Sequence, residues 1–148
     1  MTPRPRKPAG GSATPEALVY SLLGTAGAVE ARLEAALSPL GLSLAKAGLL
    51  HHLAEAKGPV ALSELADHQQ CVRSNITQLM DRLEKDGLVR RRADAADRRS
   101  VRAVLTPAGR RAYAQAKRVL AEEQRAIVRL LSDGDAERLN HVLQALAH

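Results

Sequence analysis

The chain has one cysteine, no tryptophan, no phenylalanine and only two tyrosines among its 148 residues. A single thiol cannot close an internal disulfide, so the fold has no covalent staple and a reducing cytoplasm is the expected compartment. No apolar run approaches the roughly 20 residues needed to cross a bilayer. The opening MTPRPRKPAGGSATP lacks the apolar stretch of a secretory signal, so export is not expected. Catalytic signatures are missing too: there is no glycine-rich phosphate loop, no G-x-S-x-G and no spaced cluster of metal ligands, which argues against an enzyme. His51 and His52 are neighbours that point about 100° apart on a helix, and His68, His141 and His148 are scattered. No metal or other cofactor is expected.

What the chain does have is alanine, leucine, arginine and a concentrated positive charge. The first two, with arginine and glutamate, favour helix. The net charge is +6, but its placement says more than its size. Residues 73–111 hold eleven basic and five acidic groups, whereas residues 112–148 hold five of each and residues 9–72 are net acidic. Six arginines fall between positions 90 and 102. A basic stripe confined to one segment is an electrostatic footprint for a polyanion, whereas evenly spread charge would only keep the chain in solution.

The periodicity predicts the element order. Residues 1–14 are rich in Pro, Gly, Ser and basic groups and read as a disordered basic arm. From Glu16, Leu18, Leu22, Ala26, Val29, Leu33, Leu37 and Leu40 recur at helical steps until Pro39 and Gly41. A second helix runs from about Ser43 to Lys57, with Leu49, Leu50 and Leu53 inward. VALSELADH predicts a short extended piece and a short helix capped by Ser63. A further helix, Arg73 to about Asp86, carries Ile76, Leu79, Met80 and Leu83 on one face and Ser74, Thr77, Gln78, Asp81, Arg82 and Lys85 on the other, with Asn75 at the margin. LVRRRA and SVRAVLT predict a hairpin with arginines at its tip. Thr106-Pro107 opens a long helix running through Leu130 and Leu131, and Ser132 or Asp133 opens a last helix with Leu139, Val142, Leu143 and Leu146 inward.

A short helix, a turn, a polar-faced helix and a basic hairpin make a winged helix-turn-helix. The segment SELADHQQCVRSNITQLMDRLEKDGLVRRRADAADRRSVRAVLTPAG resembles the MarR family of bacterial transcriptional regulators. The resemblance rests on Glu64-Leu65-Ala66, on Asp81 to Glu84, on Gly87 to Val89, on Asp94 to Arg99 and on Leu105 to Gly109. It implies a mainly α fold with a small β-hairpin wing (α+β), in which N- and C-terminal helices form a dimerisation lobe. The expected division is an arm over 1–14, a dimerisation helix over 15–42, the DNA-binding domain over 43–106 and C-terminal dimerisation helices over 107–148.

The function expected from both lines is a homodimeric, sequence-specific transcriptional regulator, a repressor in sense, that holds a pseudopalindromic operator of double-stranded DNA at the nucleoid and leaves it when a small ligand binds. Asn75 and Gln78 can pair in bidentate fashion with adenine, Ser74 and Thr77 can meet phosphate or a thymine methyl, and Arg73 and Arg82 suit phosphate. In the wing, Arg98 and Arg99 are the candidates for the minor groove, with Asp97 bracing; Arg90, Arg91 and Arg92 are open between DNA contact and plain solvation. The resemblance also implies a small aromatic or phenolic ligand between the dimer helices and the DNA-binding lobe, for which Tyr20, Arg32, His51 and His52 are the candidates. Two other readings stay open: a winged-helix module that docks an acidic protein, and a redox regulator acting through Cys71. Gln70 and Val72 stand where many family members have a turn glycine and a capping serine.

Overall fold

The computed structural model describes residues 14–68, 73–94, 96–97 and 100–147, without the side chains of residues 66–68, 73 and 74. The basic arm, Cys71 and its neighbouring turn, Arg98, Arg99 and His148 lie outside the described residues. Six helices and three strands are described. They are α1 (Pro15–Leu37), α2 (Leu44–Glu55), β1 (Val60–Ala61), α3 (Leu62–His68), α4 (Arg73–Lys85), β2 (Val89–Ala93), β3 (Val101–Leu105), α5 (Pro107–Val128) and α6 (Asp133–Leu146). A 3-10 turn, Ser38–Leu40, follows α1.

Four of the six described helices start on a visible cap. Thr14, Ser43, Thr106 and Ser132 each accept a backbone N–H of the first helical turn, which satisfies donors that otherwise have no partner inside the helix. Ser63 is not such a cap: α3 begins at Leu62, directly after β1, so Ser63 already lies in the helix. Gly41 ends the 3-10 turn and Gly87 ends α4, both at positive φ, 67° and 72°. At Gly87 the chain closes a paired C-terminal motif, with Leu88 N–H donating to Leu83 O at 2.9 Å and Gly87 N–H to Glu84 O at 2.9 Å.

The sheet has the order β1-β3-β2, all antiparallel. In the hairpin Val89 pairs with Leu105 and Ala93 with Val101. Ala103 and Leu105 are buried as the alternation predicts, while Val101 stays 41% exposed near the wing tip. The core lies between α2, α3, α4 and the sheet, where Leu49, Leu50, Leu65, Ile76, Met80, Leu83 and Val89 are each within 2% of full burial. α5 leaves this domain and packs along α1.

The terminal helices depart from the inward reading of their stripes. In α6 Leu139, Val142, Leu143 and Leu146 are between 42% and 63% exposed, and the helix buries no residue. Leu18 and Leu22 of α1 are exposed as well, along with Val19, Tyr20 and Leu23. Leu130 and Leu131 sit in the turn beyond α5 and are also exposed. The stripes exist, but among the described residues much of their surface stays exposed. Large apolar side chains exposed in such number mark a place where another surface binds.

Candidate nucleic-acid interface

The face of α4 turned from the core is polar. Ile76, Met80 and Leu83 are buried and Leu79 half-buried, and Asn75, Thr77, Gln78 and Arg82 are exposed on the opposite side. The 3.6-residue period places these side chains there, and Arg73 and Ser74 form the first turn of the same helix. The amides offer donors and acceptors side by side on a rod narrow enough for a major groove.

Arg91 ties this helix to the hairpin. Its Nη1 donates to Glu84 Oε2 at 2.7 Å, its Nη2 to Asp81 Oδ1 at 2.6 Å, and its backbone N–H to Glu84 Oε1 at 3.0 Å. Nη2 also reaches Thr77 O at 3.4 Å. The Arg91 backbone N–H, and then its guanidinium, hold the Glu84 carboxyl below its usual range. Of the three adjacent strand arginines, Arg91 is therefore a structural strut. The alternation of strand faces singles it out, because Arg91 shares the core face with Val89, whereas Arg90 and Arg92 do not.

The wing is braced at its root by Asp94, the first residue of the Asp94 to Arg99 motif, for which the sequence suggests no bracing role. Its Oδ1 accepts the Ala96 N–H at 2.9 Å and its Oδ2 accepts Arg102 Nε at 2.6 Å. These contacts, the Ala96 N–H first and the Arg102 guanidinium second, hold the Asp94 carboxyl below its ordinary value. Arg102 Nη1 continues to Pro59 O at 3.1 Å. Asp94 N–H donates to Ser100 O at 3.0 Å and Ser100 N–H to Asp97 O at 2.9 Å, which narrows the loop. The bracing of Arg98 or Arg99 by Asp97 falls, with those arginines, outside the described residues.

A polar helix fastened to a braced basic hairpin has counterparts among known proteins. The model of the MarR family matches residues 40–100. Over 121 residues the chain is 32% identical to the HTH-type transcriptional repressor Rv2887 of Mycobacterium tuberculosis, spanning 81% of this chain and 86% of that protein. The chain belongs to the MarR family. It is thus a winged-helix transcriptional regulator and not an enzyme. Solved MarR-family structures agree in fold. Sco3205 from Streptomyces coelicolor, determined in complex with DNA, is 28% identical with a TM-score of 0.79 over 90% of each chain. CouR from Rhodococcus jostii RHA1, determined bound to p-coumaroyl-CoA, is 25% identical with a TM-score of 0.72, over 88% of this chain and 91% of that one.

Of the four residues named for a ligand cleft in this MarR-family chain, His51 lines a described recess. His51 does so between α2 and α5, in an apolar recess of about 370 Å³ with Leu44, Ala47, Tyr113, Ala116, Lys117 and Leu120. Tyr20 stands 69% exposed on α1, and Arg32 is engaged with Glu123 through Nε at 2.7 Å. His52, the next residue along α2, is turned about 100° from His51 by the helix. None of those three lines the recess. Tyr113 and Lys117 are the residues that sequence reading missed. His51 Nδ1 and Tyr113 Oη are 2.9 Å apart, Tyr113 Oη donates to Glu55 Oε1 at 3.3 Å, and Lys117 Nζ lies 5.8 Å from the Tyr113 ring. Among the described residues, no single helix is long and apolar enough to cross a membrane.

Proposed function

We propose that the chain is a homodimeric repressor that binds a pseudopalindromic operator and releases it when a small organic acid enters the recess between α2 and α5. The observation that carries the DNA reading is the exposed amide and hydroxyl face of α4 fastened through Arg91 to a hairpin rich in arginine. In it Asn75 and Gln78 read base edges, Ser74 and Thr77 meet phosphate or thymine methyls, Arg73 and Arg82 hold phosphates, and Arg98 and Arg99 enter the minor groove next to Asp97. The DNA complex of Sco3205 and the repressor name of Rv2887 support the same reading.

The dimer rests on the apolar faces of α1 and α6, which are exposed among the described residues. Burying one leucine contributes about 1.5 to 3 kcal/mol, so a pair of such faces is ample for association. Residues 15–42 and 107–148 then form the dimerisation lobe and residues 43–106 the DNA-binding domain. Two-fold symmetry sets the two recognition helices about 34 to 36 Å apart, one turn of duplex.

For the ligand, an apolar recess with Lys117 and the His51–Tyr113 pair at its wall suits an aromatic body with an acidic end, and the bound p-coumaroyl-CoA of CouR supports that class. Release requires only that the ligand favour the spacing of recognition helices that DNA does not accept. Selection of bound fragments from a random duplex library tests the proposal. Inverted repeats with half-sites about ten base pairs apart support it, and an unenriched pool contradicts it.

A further inference from the structure

A second recess opens on the other side of the sheet. Arg91 faces α4, so its strand neighbour Arg92 points to the opposite face, as does Arg102 across the ladder from it. There a recess of about 380 Å³ lies between the loop after α2, the outer face of β2 and β3, and the first turns of α5. Val104 on the outer face, with the edges of the largely buried core residues Leu53 and Leu105, forms the apolar part of the wall, and Lys57, Arg92 and Arg110 supply three cations. No Asp or Glu lines it among the described residues. None of the three cations belongs to an ion pair among the described residues.

Like charges placed directly opposite destabilise a strand pair, and Arg92 is registered against Arg102. Arg102 is neutralised by Asp94 at 2.6 Å and anchored on Pro59 O at 3.1 Å, which leaves the Arg92 charge uncompensated within the recess. A concave site with one sign of charge and low-dielectric walls concentrates counter-ions, and guanidinium groups hold oxyanions with two parallel hydrogen bonds.

We propose that this recess binds a compact organic dianion, a phosphate or dicarboxylate on a short apolar stem, at a site separate from both the α4 face and the His51 recess. A duplex phosphate would use the cations but not the apolar wall, so the small molecule fits the lining better. The site lies at the root of the wing, joined through Pro59 and Arg102 to the Asp94 brace.

The test uses phenyl phosphate and the full chain, without DNA, so its outcome is independent of the operator reading. Titration calorimetry shows saturable binding to the wild type, about tenfold weaker binding to Arg92→Gln and to the Lys57→Gln/Arg110→Gln double variant, and unchanged binding to Arg111→Gln. All four positions are exposed, and circular dichroism confirms the fold of each variant. In thermal unfolding, Arg92→Gln melts above the wild type when no anion is present, and phenyl phosphate raises the wild-type Tm but not that of the variant. Absence of saturable binding, equal loss in Arg111→Gln, or loss in Lys117→Gln instead of Arg92→Gln overturns the proposal.

Discussion

Arg91 holds both oxygens of Glu84, one through its guanidinium at 2.7 Å and one through its own backbone N–H at 3.0 Å. One carboxylate thus fixes the start of the wing against the second half of the recognition helix. This doubly bonded contact fixes the angle between α4 and the hairpin, and so, in the proposed complex, how both meet a duplex.

Glu84→Gln keeps the shape and removes the charge, at a cost of about 1 kcal/mol at neutral pH, the upper end for a pair this accessible. The carboxyl is held below its unfolded value, so its contribution is present above pH ~4.3 and is lost as pH falls through the lower, folded value. Melting temperatures of the wild type and variant therefore differ at pH 7 and converge as pH falls below about 4. A gap that persists at low pH contradicts the assignment. Arg91→Gln should weaken binding to every duplex, with little change in base preference.

Gly109 is a position where any side chain collides. A Cβ there would stand 1.9 Å from Leu88 O, where the turn after α4 meets the first turn of α5. The contact is held by Thr106, whose hydroxyl donates to Gly87 O at 2.7 Å and accepts Gly109 N–H at 3.0 Å. Gly109→Ala should lower stability by about 3 kcal/mol, measured by urea unfolding, while Gly134→Ala, with open space around it, should change it little.

Much of this architecture is legible in the chain. Steps of three and four residues predicted the long helices, Gly87 the end of α4, and the alternation of Val101, Ala103 and Leu105 the second strand of the hairpin. Contacts between elements distant in sequence were not legible. Tyr113 lies 62 residues from His51, and only the packing of α5 on α2 brings them together. Asp94 and Arg102 face each other only once the hairpin register is known. The apolar stripes of α1 and α6 showed clearly, but a period identifies a face without saying which surface covers it. At Ser63 the capping expectation fails because β1 runs straight into α3.

In the recognition helix the two kinds of contact should separate. Gln78→Ala and Asn75→Ala should each relax the preference at one base position by about 1 to 3 kcal/mol. Arg82→Gln should weaken all duplexes alike and reduce the salt slope by about one. Binding isotherms over a salt series, on selected and substituted sites, distinguish these outcomes.

The exposed faces of α1 and α6 predict association. Leu143→Arg, on a helix that buries nothing within its own chain, should leave helix content intact and shift sedimentation equilibrium toward the monomer. Loss of helix content without a change of mass would mean that the residue packs within its own chain.

The complex with a selected duplex gives the most direct test, measured by sedimentation for stoichiometry and by competition against its scrambled sequence at physiological salt. Two chains on each duplex, with a preference of about 10³-fold or more over the scrambled competitor, is the predicted result. One chain per duplex, or equal affinity for both sequences, would contradict it.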